Sequence, residues 1–191
     1  MNPRSKVGLY GGSFDPIHHG HLILARDVRE RLGLERMIFI PAGVSPHKLD
    51  QPPAPPAVRL EMVRAAVAGE EGFECDDCEV TREGPSFAID TVRLMMGRHP
   101  GAEIFYLIGG DNLQALDTWK EIDALRELVT FVVLARGGRG MTPEGFVAFD
   151  RRVDISSTDI RKRIATGRPV SYLLPEAVCT IVFRHRLYRN D

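Results

Sequence analysis

Short continuous apolar runs alternate along this chain with stretches whose apolar residues recur every three or four positions. That alternation predicts buried strands joined by amphipathic helices. The apolar runs place strands near Lys6–Tyr10, Arg36–Ile40, Cys78–Thr81, Glu103–Ile108 and Leu128–Leu134. The periodic stretches place helices near Gly20–Leu32, Ala57–Ala68, Phe87–Met96 and Asn112–Leu125, the last broken around Asp117-Thr118. Strand and helix in turn mean βαβ units, hence an α/β fold with a mostly parallel sheet flanked by helices. Right-handed crossovers then open a ligand crevice at the carboxyl ends of the strands.

Two segments escape the pattern. Residues 41–56 hold six prolines and read as a long loop of the kind that reaches over ligands, which brings in His47 and Lys48. Arg136-Gly137-Gly138-Arg139-Gly140 follows the last predicted strand and is also irregular. No repeat, heptad or low-complexity tail interrupts the 191 residues, which suit one domain with residues 155–191 as a C-terminal helical subregion. A content of 43% hydrophobic and 27% charged residues is that of an ordinary globular protein. No apolar run approaches the ~20 residues of a membrane span, and the start lacks a signal-peptide core, so a cytoplasmic setting is expected.

Three cysteines, an odd number, fit a reducing compartment. Cys75 and Cys78 make one C-x-x-C without the second ligand pair of a zinc site, and with acids all around it the stretch reads as a solvated surface segment. Net charge is −1, yet residues 151–191 carry 9 basic and 4 acidic groups. That excess could meet nucleic acid, but aromatic interleaving is thin, and small phosphorylated ligands fit as well or better.

Three constellations could carry chemistry. In Gly11-Gly12-Ser13-Phe14-Asp15-Pro16-Ile17-His18-His19-Gly20-His21, a strand leads through a glycine-rich bend into a helix, with two imidazoles three positions apart. Backbone N–H groups, a helix dipole and two side-chain donors would surround an anion there. The spacing is neither G-x-G-x-x-G nor a Walker loop, and His18 and His21 lack a third metal ligand. His19 reads as packing or surface. In Ile155-Ser156-Ser157-Thr158-Asp159-Ile160-Arg161, Ser156 and Asp159 form a capping-box pattern, and hydroxyls, Arg161 and free N–H groups offer a pyrophosphate cradle. In Leu107-Ile108-Gly109-Gly110-Asp111, glycines at a strand end admit a ligand and Asp111 can accept from ribose; Trp119 beyond is either core or a stacking platform.

Together with Ser45-Pro46-His47-Lys48, Ser86-Phe87-Ala88-Ile89-Asp90-Thr91 and Trp119, these segments closely resemble the bacterial nicotinate-nucleotide adenylyltransferases, nearly end to end. The H-x-G-H and I-S-S-T-x-I-R pair marks the wider nucleotidyltransferase superfamily, with its Rossmann-like α/β fold. The resemblance implies adenylyl transfer from ATP to nicotinate mononucleotide, with Mg2+ carried mainly by the ATP phosphates and no metal ligands on the chain. By the same resemblance His18 and His21 contact the ATP phosphates, and Ser157, Thr158 and Arg161 hold the β/γ portion with Lys48 closing from the loop. Gly11, Ser13 and Phe14 line the nucleotide cleft, Gly109 and Asp111 meet ribose or phosphate, and Trp119 stacks on the pyridine ring. Lys120 and Arg136 are further substrate candidates. The family's Ser-Tyr-Thr reads Ser86-Phe87-Ala88 here, so Ala88 retains a backbone N–H but no hydroxyl.

Rival readings are an adenylyltransferase for nicotinamide mononucleotide or phosphopantetheine, or a non-catalytic nucleotide-binding module. The phosphopantetheine branch carries threonine at the His18 position. The partners expected are the two nucleotide substrates, with neither nucleic acid nor membrane; a homo-oligomer is compatible.

Overall fold

The computed structural model describes residues 4–44, 53–135 and 145–189, with Asp111 and Ala135 described by their backbone only. Six strands, β1 (Lys6–Gly12), β2 (Arg36–Pro41), β3 (Phe73–Cys75), β4 (Glu103–Gly109), β5 (Thr130–Ala135) and β6 (Val147–Asp150), pair in the order β3-β2-β1-β4-β5-β6. Every neighbouring pair is parallel. The chain runs outward from β1 to β3 and then returns to place β4 on the other side of β1. That reversal opens a crevice beyond the carboxyl ends of β1 and β4.

The strands are buried on both faces, and their period of two sorts side chains between two cores. Tyr10, Met37, Phe39, Phe105 and Leu107 join one cluster, which α1 (His19–Leu32), α2 (Pro56–Val67), α7 (Ser157–Ala165) and α8 (Glu176–Arg184) cover with Leu24, Val63, Ile160 and Val178. Val7, Leu9, Ile38, Ile104 and Tyr106 face the other side, under Ile89 and Val92 of α4 (Ala88–Arg98) and Leu125 of α6 (Ile122–Leu128). Between β4 and α6 lie only the single-turn α5 (Gly110–Leu113) and a 3-10 turn at Leu116–Thr118, so the helix expected over Asn112–Leu125 is broken where Asp117-Thr118 suggested. Among the described residues no helix is long and apolar enough to cross a membrane.

Three expectations need correction. Cys78–Thr81 is a four-residue helix, α3, and the edge strand is Phe73–Cys75. The cause lies in two acids: Asp76 Oδ1 accepts from the Cys78 N–H at 2.9 Å and the Asp77 carbonyl accepts from Thr81 Oγ1 at 3.0 Å, drawing the chain into a turn that the apolar content did not betray. Within the acidic segment Cys78 and Glu79 are buried, against the solvated reading, whereas Glu70, Glu74 and Asp77 stay partly exposed in ion pairs. Gly11 and Gly12 continue β1, in register with Ile40 and Pro41, and the bend begins only at Ser13. The edge strand β6 was not anticipated; four residues are too few for alternation to register.

Candidate active site

The turn after β1 is shaped by a residue in the left-handed region, Phe14 at φ 47°, and by a cis Asp15-Pro16 peptide bond. It delivers His18 as the N-cap of α1. The His18 ring is buried and stacks on His21, centroids 3.7 Å apart and planes 23° from parallel. The His18 backbone N–H donates to His21 Nδ1 at 3.2 Å. With Nδ1 accepting, a neutral His21 carries its proton on Nε2, ready to donate. Gly20 makes the stack possible: a Cβ there would lie 2.9 Å from His18 Nδ1 and 3.0 Å from His18 Cε1. Phe14 is buried edge-on to His21, 5.2 Å between centroids, and supports that ring from within the core.

A second helix start is fastened onto this turn. Ser156 caps α7, its Oγ accepting from the Asp159 N–H at 3.1 Å as the capping pattern required. Ser157 Oγ donates to the Pro16 carbonyl at 2.9 Å, and Arg161 Nη1 donates to the Asp15 carbonyl at 2.8 Å. Arg161 Nη2 lies 3.5 Å from the exposed Thr158 Oγ1. The N-termini of α1 and α7 therefore meet. Two positive helix ends side by side repel, and an anion between them removes that cost. A cleft of about 20 Å³ lies here, bounded by His18, Gly20 and His21 on one side and by Gly109 and Ile155 on the other.

Next to it, beyond the ends of β1 and β4, lies a cavity of about 380 Å³. Gly11, Gly12 and Ser13 form one wall; a Cβ on Gly11 would sit 2.7 Å from Tyr106 Oη, so only glycine leaves that wall flat. Ser86, Phe87 and Ala88, leading into α4, form another. Trp119 and Lys120 close the side. Trp119 is half-buried and edge-on to Tyr106 at 6.2 Å, so it is neither pure core nor free surface. Lys120 Nζ pairs with Asp90 Oδ2 at 3.1 Å and lies 4.8 Å from the Phe87 ring centroid.

Sequence reasoning passed over the supports of this wall. Ser86 Oγ accepts from the Gly43 N–H at 3.0 Å. Glu79 is 5% exposed, lines the cavity, and accepts from Thr91 Oγ1 at 2.7 Å. Burial holds its pKa above the ordinary carboxylate value, against the opposing hydrogen bonds from Thr91 and Ser86 and the charge of Arg82. Arg59, 1% exposed, was also passed over, since an arginine at the start of an amphipathic helix reads as a surface charge. The loop candidates His47 and Lys48, and Arg136, lie outside the described residues, as does the side chain of Asp111. Among the described residues no three His, Cys, Asp or Glu side chains gather as a metal cage. Burial pushes the Cys75 and Cys78 thiols up to about 12.

Residues 9–163 match the cytidylyltransferase-like family. A Bacillus pumilus protein described as a "probable nicotinate-nucleotide adenylyltransferase" is 43% identical over 97% of this chain and 99% of its own. The chain belongs to the nicotinate-nucleotide adenylyltransferase family. A Rubrobacter xylanophilus protein of the same description is 42% identical over 97% of this chain and 93% of its own. The fold agrees as well: the Plasmodium falciparum nicotinic acid mononucleotide adenylyltransferase, solved in complex with NaAD, superposes with a TM-score of 0.78 at 16% identity, covering 97% of this chain and 98% of that one.

Proposed function

We propose that this protein joins ATP to nicotinate mononucleotide, giving nicotinate adenine dinucleotide and pyrophosphate in NAD synthesis. The observation that carries the reading is the meeting of the α1 and α7 N-termini over the His18–His21 stack, beside a cavity walled by Trp119. The first is an anion site for the triphosphate; the second suits a flat ring.

The nucleophile is a phosphate monoester, mostly dianionic at neutral pH because its second pKa is about 6, so the chain need not supply a general base. What remains is to align two anions and to stabilise charge on the α-phosphate and the departing pyrophosphate. His18 and His21 do so at the phosphates, His18 nearest the reacting α-phosphate and His21 through Nε2. Thr158, Arg161 and the backbone N–H of Ser157 hold the β/γ portion, while the Ser157 hydroxyl keeps the turn in place through Pro16. Gly11, Ser13, Gly109 and Asp111 meet the nucleotide, with Lys48 and Arg136 as further candidates for substrate contact. Mg2+ carried on the ATP phosphates would keep most of its waters and would supply neutralisation of the pyrophosphate charge.

The pyridine ring stacks on Trp119, and its carboxylate meets the N–H groups of Ser86–Ala88 and the Lys120 ammonium. Both are electropositive, which favours the acid over the amide. Pyrophosphate release measured side by side with nicotinate mononucleotide, nicotinamide mononucleotide and phosphopantetheine tests the reading: nicotinate mononucleotide is expected to be the best acceptor, and equal or better turnover of either other acceptor would overturn it.

A further inference from the structure

Arg59 is a fully buried cation whose three hydrogen bonds all end on backbone carbonyls of loops. Nε donates to Ala54 at 2.8 Å, Nη1 to Ser13 at 2.8 Å and Nη2 to Gly43 at 3.0 Å. Those carbonyls belong to separate parts of the cleft. Ser13 begins the phosphate-facing turn and lines the cavity. Gly43 donates in turn to Ser86, in the opposite wall. Ala54 donates its N–H to Asp15 Oδ1 at 3.1 Å, and the Asp15 carbonyl receives Arg161. One continuous chain of bonds thus runs Arg161, Asp15, Ala54, Arg59, Gly43, Ser86, from the α7 helix start to the wall of the cavity.

We propose that Arg59 is a positioning residue for adenylyl transfer, its planar guanidinium fixing the separation between the triphosphate site and the mononucleotide site. The inference rests on the functional reading above. Stability alone is a weak reason to bury a guanidinium, because well-packed apolar residues commonly replace buried charges at little or no loss. Its opposing charge, Asp15, is also held by Ala54 and by the Tyr188 hydroxyl at 2.6 Å, so the burial maintains a joint between loops that regular secondary structure does not connect. In-line displacement is sensitive to such a joint: a shift of about 1 Å between reacting groups costs on the order of 10²-fold in rate. Each subsite by itself survives the shift, so the loss falls on kcat. A lysine keeps the charge but not the fork, and cannot reach three carbonyls set around a plane.

The test compares wild-type, Arg59→Lys and Arg59→Met protein by steady-state kinetics with ATP and nicotinate mononucleotide, rates being normalised to the folded fraction from thermal melts. We expect Arg59→Lys to lose on the order of 10–100-fold in kcat with both KM values within about threefold of wild type. Arg59→Met is expected to fall further, so that the lysine acts as a partial rescue. Arg59→Lys keeps the buried charge beside Asp15 and remains decisive if Arg59→Met does not fold. A lowered melting temperature with unchanged normalised kcat in Arg59→Lys, or raised KM values at constant kcat, would overturn the inference while leaving the functional reading intact. A wild-type protein that forms no dinucleotide overturns the functional reading first, and the inference with it.

Discussion

The His18 backbone N–H donates to His21 Nδ1 at 3.2 Å, while the two rings lie stacked 3.7 Å apart. One hydrogen bond therefore sets both the proton position on His21 and the direction in which it points. The tautomer that donates through Nε2 follows from backbone geometry at the helix start.

Removing a donor aimed at developing charge costs about 10²–10³ in kcat. His18→Ala and His21→Ala are each expected to show losses of that order in pyrophosphate release, with melting temperatures near wild type. A loss confined to the KM for ATP would mean that the imidazoles bind the ground state only.

Gly20→Ala tests the stack without replacing either imidazole. The new methyl lies 2.9 Å from His18 Nδ1, so the ring must move, and with it the donor positions. Displacing a buried ring costs on the order of 1–3 kcal/mol, so the melting temperature should fall by a few degrees while kcat falls by at least tenfold. Loss of the cooperative melt would instead point to a disrupted α1.

Trp119→Ala should raise the KM for nicotinate mononucleotide by about tenfold, the scale of one lost stacking contact, and leave the KM for ATP unchanged. The reverse pattern would move Trp119 to the ATP side.

Glu79 gives a pH signature. Its folded-state pKa lies above the ordinary carboxylate value of 4.5 because of burial, so the native protein binds this proton more tightly than the unfolded chain does. The raised pKa therefore favours folding at low pH, and that advantage is lost as pH rises through the folded-state value. Melting temperatures of Glu79→Gln and wild type compared from pH 4.5 to 8 should diverge in the variant's favour as pH rises. A difference independent of pH would mean that Glu79 is not the titrating group.

The thiols supply a control. With Cys75 and Cys78 pushed up to about 12, alkylation by iodoacetamide at pH 8 should be far slower in the native protein than in denaturant. Rapid native labelling of either would contradict their burial.

What the chain disclosed about itself followed physical legibility. Strands β1, β2, β4 and β5 are apolar on both faces and stood out as runs; β3 and β6, at the sheet edges and three and four residues long, had no room for a pattern. The groups proposed to face phosphate stood out because glycines, histidines and hydroxyls at helix starts have few other uses at that spacing. Arg59 and Glu79 were not, since what distinguishes them is burial, and burial of a charge is decided by loops that return to it from 13, 43 and 86. Ser157 was recognised as part of the helix start, but its hydroxyl bond to Pro16 joins residues 141 apart, beyond the reach of any local pattern.

That bond has a consequence for the life of the chain. During synthesis the cavity-lining residues Ser13, Ser86 and Trp119 emerge before α7, so the proposed phosphate cradle is the last part of the site to receive its residues. A chain cut short before Ser157 lacks α7 and α8, whose Ile160 and Val178 cover one face of the sheet, so the core and the proposed cradle are completed by the same late segment.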